Sequence, residues 1–169
     1  NVIRELLNMI FGMDLKKVLL VVLASVALTA CATQVKKSTG MMQGDVYTGT
    51  DTVKYLATGV KDRVFFATNK STLTTASRDT LRKQAAWMRA KGKALSFTIE
   101  GHADERGTRE YNLALGERRA NAVKDYLMTY GISGGRLSVI SYGKERPVNS
   151  GSNPLAWSQN RRSVTVKAE

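Results

Sequence analysis

Residues 101–119 (GHADERGTREYNLALGERR) crowd more ionisable side chains together than a plain core element needs. The stretch holds the only histidine, His102, the acids Asp104 and Glu105, a turn at Gly107 and the adjacent arginines Arg118 and Arg119. His102 with Asp104 two residues on could bind a metal or act as a general base. No second histidine and no further cysteine beside Cys31 support a metal site, so a structural histidine at a strand end is expected. Asp104, Glu105 and Glu110 could be the paired acids of a glycan hydrolase, yet nothing separates them from surface acids. The crowding otherwise suggests that something charged sits here, while Asp104 and Arg119 could simply pair with each other or with neighbours as a structural ion pair. Arg118 and Arg119 point about 100° apart on a helix and cannot share one role. Arg118 is expected to be a solvated or structural charge.

The elements that must position these groups follow from periodicity. Residues 53–66 predict two short strands, the second at 63–67, and residues 68–71 a polar loop. A helix is predicted from Thr74 or Thr75 to Gly92, with Leu81, Ala85 and Met88 turned inward and Trp87 a core or rim aromatic. Residues 95–100 alternate as a half-buried strand does, and Thr108 is a natural N-cap for the next helix. There Leu113, Gly116, Ala120, Val123 and Leu127 keep a core spacing until Gly131 stops it, and Tyr111 and Asn112 brace the loop and helix start. Gly134 and Gly135 turn the chain into a strand at 137–142. Residues 143–153 form a long loop, 154–159 a short helical turn covered by Trp157, and 163–167 a last strand with Val164 and Val166 on one side. The order β-α-β-α-β-β predicts an α/β (α+β) sandwich, two main helices on one face of a small mixed sheet. The loops after 67 and 101 then share one sheet edge if their strands run parallel.

The net charge of +12 on 169 residues favours anionic partners. Nucleic acid would be a natural one, but the N-terminal segment argues otherwise. Met13 is the expected start, with residues 1–12 upstream; Lys16 and Lys17 precede an apolar run at 18–28. That run is too short to cross a hydrocarbon core of about 30 Å and reads as the core of a signal peptide. Leu28, Thr29, Ala30 and Cys31 resemble a bacterial lipobox, in which the cysteine becomes lipid-modified, and Ala32 after it resembles an outer-membrane address. Removing residues 1–30 takes away Arg4, Lys16 and Lys17 against Glu5 and Asp14, so the basic surplus stays with the rest. Residues 31–52 are expected to be the lipidated cysteine and a polar tether with a reach on the order of 70 Å. Residues 53–169 are the expected domain. An exported, anchored protein meets envelope polymers rather than nucleic acid.

The blocks GHADERGTREYNLALGERRANAVKDYL, LSVISYGKERP and NRRSV, in that order behind a lipobox, closely resemble the OmpA-like peptidoglycan-binding domain family over residues 62–166. The resemblance implies non-covalent binding of the meso-diaminopimelate stem peptide of peptidoglycan, with no catalysis and no cofactor. It places the ligand-binding aspartate on Asp104 and the arginine on Arg119, a carboxylate for the ligand ammonium and a planar fork for its carboxylate. The first loop, Phe66-Ala67-Thr68-Asn69-Lys70, matches the other wall of the pocket, with Ala67 where many relatives carry aspartate and Asn69 in the acid-or-amide slot. Leu115 matches a pocket-lining position, and Arg161 and Arg162 are expected to be structural. The resemblance also implies an outer-membrane protein, anchored through Cys31 and facing the periplasm. Its implied partners are in the Tol system, chiefly TolB, with a role in envelope integrity and cell division. The alternatives are an OmpA-like envelope lipoprotein outside that system and a cationic envelope anion-binder.

Overall fold

A computed structural model describes residues 42–91 and 93–168; the expected signal peptide, lipidation at Cys31 and the helix stop at Gly92 lie outside the described residues. The elements in order are β1 (Met42–Gln43), β2 (Val46–Tyr47), β3 (Tyr55–Ala57), β4 (Val60–Lys61), β5 (Arg63–Phe65), α1 (Thr75–Ala90), β6 (Phe97–His102), α2 (Arg109–Thr129), a 3-10 turn (Gly134–Arg136), β7 (Leu137–Gly143), α3 (Pro154–Asn160) and β8 (Arg162–Lys167). The main sheet runs β5-β8-β6-β7, with β6 and β7 parallel and β8 antiparallel to both its neighbours. β5 and β6 therefore point the same way although β8 separates them. Their C-terminal ends and the start of β8 meet at one sheet edge: Phe65 pairs with Arg162, and Gly101 with Ser163.

Both long helices start where their sequences say they should. The Thr74 hydroxyl caps α1 by accepting from the Ser77 N–H at 3.1 Å, and Thr108 caps α2 by accepting from the Tyr111 N–H at 3.2 Å. Leu81, Ala85 and Met88 of α1 meet Phe97, Ile99, Ala120, Val123 and Leu127 in the core. Two buried polar residues also lie on this face of α1. Gln84 donates to the Lys61 carbonyl at 2.8 Å and accepts from the Thr165 hydroxyl at 3.0 Å, so its burial carries no unpaired amide.

Two expectations are corrected. The buried stripe of α2 is Asn112, Leu115, Gly116, Arg119, Ala120, Val123 and Leu127, whereas Leu113 is only half-buried. The helix is turned by a close approach at Gly116: a Cβ on Gly101 would stand 1.8 Å from the Gly116 carbonyl oxygen, so backbone touches backbone there. Part of the segment expected as tether over 31–52 packs on the domain. Tyr47 is buried with its ring edge-on to Phe65 at 4.8 Å, and Gln159 donates to Asp51 at 3.0 Å.

Candidate functional site

The site is the edge where the loops at 66–70 and 103–108 and the segment before β8 converge. The close approach of α2 at Gly101 places Arg119, one turn beyond Gly116, beneath both loops. Arg119 is fully buried, its guanidinium 5.3 Å from the centre of the Phe66 ring. Its Nε donates to the Lys70 carbonyl at 2.9 Å, Nη1 to His102 at 2.8 Å and Nη2 to Ala67 at 3.1 Å. One side chain thus ties the two loops together. Burial, then the nearby Arg161 charge, lowers its pKa to about 10, which still leaves it ionised at neutral pH. Asn69 adopts a left-handed φ of 55° at the tip of the first loop, a conformation asparagine tolerates well.

Asp104 sits above this post and has different partners. Arg106 grips it through Nε to Oδ1 at 3.0 Å, Nη2 to Oδ2 at 2.7 Å and its backbone N–H to Oδ1 at 3.1 Å. Arg161 adds Nη1 to Oδ2 at 3.2 Å. Burial pushes the Asp104 carboxyl up, but the hydrogen bonds from Arg106 and Arg161 outweigh it and hold the group below its ordinary value. Arg161 is nearly buried and also donates to the Phe66 carbonyl at 3.1 Å and to the Asp45 carbonyl. Arg106 is the open element: its side chain is 41% exposed, lies 4.3 Å over the Trp157 ring and reaches Thr68 Oγ1 at 3.4 Å.

A further wall comes from the long loop and α3. Glu105 accepts from the Ser152 hydroxyl at 2.7 Å and from the Trp157 indole at 2.8 Å. Lys144 donates to the Gly107 carbonyl at 2.8 Å, and with Glu105, Pro147, Asn149 and Asn160 it lines a cleft of about 120 Å3.

The structure thus brings Asp104, Arg119, Phe66, Thr68 and Asn69 to one edge, but on two levels. Asp104 and Arg119 do not hydrogen-bond to each other. Phe66 and Leu115 are buried supports, while Thr68 is half-buried and Asn69 exposed. Sequence reasoning missed Arg106 and Asp45 and gave Arg161 only a structural part. Arg106 carries a local signal, since an arginine two residues after an aspartate in a tight loop can fold back on it; Asp45 and Arg161 carry none, being distant in sequence. Among the described residues no group of three or more histidine, cysteine, aspartate or glutamate side chains is placed to hold a metal ion.

The OmpA family profile matches residues 65–161. The peptidoglycan-associated lipoprotein of Rhizobium meliloti is 55% identical over 107 residues, 63% of this chain and 60% of that protein. The chain thus spans about three fifths of the length of such rhizobial relatives. The peptidoglycan-associated lipoprotein of Brucella melitensis is 45% identical over 147 residues, 84% of this chain and 86% of that one. Among solved structures, the peptidoglycan-associated lipoprotein from Burkholderia pseudomallei superposes with a TM-score of 0.61 at 35% identity, covering 64% of this chain and 91% of that chain. The chain belongs to the OmpA family.

Proposed function

We propose that this chain is an outer-membrane lipoprotein that grips peptidoglycan without cleaving it, through the ammonium–carboxylate end of diaminopimelate in the stem peptide. The observation that carries the reading is the Asp104 carboxylate, held ionised at the loop edge beside the exposed Arg106 guanidinium and the Thr68–Asn69 loop. A single stereocentre bearing both charges fits such a pair: Asp104 takes the ammonium, and guanidinium and backbone N–H take the carboxylate. The names of the relatives support the polymer and the anchor. Lipidation at Cys31 ties the domain to the outer membrane, and many anchored copies facing one polymer gain in effective concentration. Within this reading the partners are TolB and other Tol proteins, and the role is envelope integrity and division.

Arg119 enters the reading with a condition. Three of its five N–H groups go to backbone carbonyls, so a ligand carboxylate reaches the other two only when the loop at 67–70 lifts.

The test is co-sedimentation of the full chain, in detergent, with sacculi. Walls carrying diaminopimelate should pellet the chain, and walls carrying lysine, which lacks the second carboxylate, should pellet it at least about tenfold less well. Equal binding to both defeats the reading. The net charge of +12 favours a second one, a cationic anion-binder. In that case binding collapses with salt and survives Asp104→Asn.

A further inference from the structure

We propose that Asp45 is an internal competitor for this site: the chain's own carboxylate occupies the Thr68 N–H that a ligand carboxylate would take, and wall binding displaces it. The proposal rests on the reading of the edge as a holder of an ammonium–carboxylate end.

Asp45 lies 23 residues before Thr68, in the turn between β1 and β2. Its Oδ2 accepts from the Thr68 backbone N–H at 2.6 Å. The same residue's carbonyl accepts from Arg161, the guanidinium that also binds Asp104. Arg106, whose Nη2 reaches the Thr68 hydroxyl, adds positive field. A carboxylate therefore already stands at the loop N–H, in the field of Arg161 and Arg106. The Thr68 N–H bond is the main reason its pKa is lowered; burial opposes it, and the Thr68 side chain and the Arg161 charge lower it further. An incoming carboxylate seeks these donors, and it cannot share one N–H with Asp45.

The contact is also built to open. β1 and β2 are two residues each, too short to hold a hairpin by themselves. Asp45 is exposed, and Gly44 beside it has a φ of 64°. Tyr47, locked against Phe65, stays as the fixed point beyond the turn, so the turn can swing off with the apolar core in place, giving up the Arg161 bond to the Asp45 carbonyl. Upstream the chain leads toward Cys31, so the competitor is carried on the lead between anchor and domain.

The experiment uses the full chain in detergent with Asp45→Ala and Asp45→Asn, and Asp51→Ala as a control for charge in the same segment. Hydrogen exchange at the Thr68 amide, measured with no wall present, should quicken in Asp45→Ala and stay unchanged in Asp51→Ala. Affinity for diaminopimelate-type sacculi should rise about three- to tenfold in Asp45→Ala, with a smaller rise in Asp45→Asn, which keeps an acceptor oxygen. Binding by Asp45→Ala where the unsubstituted chain fails to pellet would support the proposal most directly. Unchanged Thr68 exchange overturns it whatever the wall does. Weaker or equal binding by a variant with an unaltered Tm overturns it as well, since Asp45 would then be a strut or a ligand contact. If neither chain pellets, the reading of the site falls and the competition with it, while Thr68 exchange still reports whether the contact exists.

Discussion

His102 and Asp104 stand two residues apart at the end of one strand, both nearly buried and both ringed by arginines, and they end in opposite states. A register irregularity between Gly101 and His102 turns the chain at this point, so Asp104 leaves the sheet for the loop. There Arg106 and Arg161 bond to its carboxylate. The His102 ring stays on the sheet, 5.5 Å from Tyr142, and neither ring nitrogen has a hydrogen-bond partner. Burial first, then the charges of Arg162, Arg63 and Arg146, lower its pKa to about 3 and keep it neutral. The same kind of arginine field favours the deprotonated form of both groups, which is the charged form of the carboxyl and the neutral form of the imidazole. The strand end thus has a polar side toward the loops and a sealed side. Arg119, bonded to the His102 carbonyl and to the first loop, joins them.

Removing that joint should give the largest effect. Arg119→Ala leaves three carbonyls without a donor, that of His102 buried, and a cavity beside Phe66, a loss of about 3–5 kcal/mol, or roughly 10–15 °C in Tm. Arg119→Lys should recover part of it, because one ammonium cannot serve three diverging acceptors. Loss of sacculus binding in Arg119→Ala therefore counts as a site effect only if Arg119→Lys, folded at the assay temperature, loses it too. A Tm within about 2 °C of the unsubstituted chain in Arg119→Ala would show that the loops do not depend on this post.

This post also marks where the sequence stops being informative. Caps at Thr74 and Thr108, the alternation of β6 and the periodic core of α1 are local signals, and the order of elements was enough to predict that two loops share an edge. The identity of the edge residues came from the spacing within residues 101–119 and the resemblance built on it. What could not be read there is which arginine faces Asp104. That depends on the Gly101–Gly116 contact, which sets the depth of α2, and on β8 entering between β5 and β6 so that Arg161 arrives from 57 residues away. Asp45 was hidden for the same reason: a polar, Gly- and Thr-rich stretch looks like tether until Tyr47 is seen in the core.

The sealed side should show itself in pH dependence. His102 titrates near 6.5 in the unfolded chain and only near 3 when folded, so between those values the unfolded state binds the extra proton. Stability should therefore fall as pH drops from about 6.5 toward 5, by at most about 1.4 kcal/mol per unit. His102→Phe should flatten the Tm profile in that window. An unchanged slope would mean that His102 is charged and paired with Glu100, whose Oε2 lies 3.5 Å from its Nε2.

The loop side loses stability in the same direction as pH falls, in a lower pH window. The Asp104 carboxyl is lowered, so its contribution is present above the unfolded carboxylate value of about 3.9 and is lost as pH falls through the folded one. Asp104→Asn should cost about 1–3 kcal/mol at neutral pH by leaving Arg161 less well paired. It should weaken sacculus binding more than about tenfold, because the ligand ammonium loses its counter-charge. Retained binding with a lowered Tm would make Asp104 a brace for Arg161 and no more.

Arg106→Ala should be the mildest change to stability and the most telling about the site. Its ion pair with Asp104 is bidentate, but the side chain is 41% exposed, which limits the loss to about 1 kcal/mol. Two outcomes for binding are then distinguishable by sign. If Arg106 only covers Asp104, its removal bares the carboxylate and sacculus affinity rises. If it receives the ligand carboxylate beside the Thr68 N–H, affinity for diaminopimelate-type walls falls, by up to about tenfold for a lost charge-assisted bond. Weak binding to lysine-type walls then stays where it was. The fall is expected, because Arg161 already neutralises Asp104 from the buried side and leaves the guanidinium of Arg106 free to change partners.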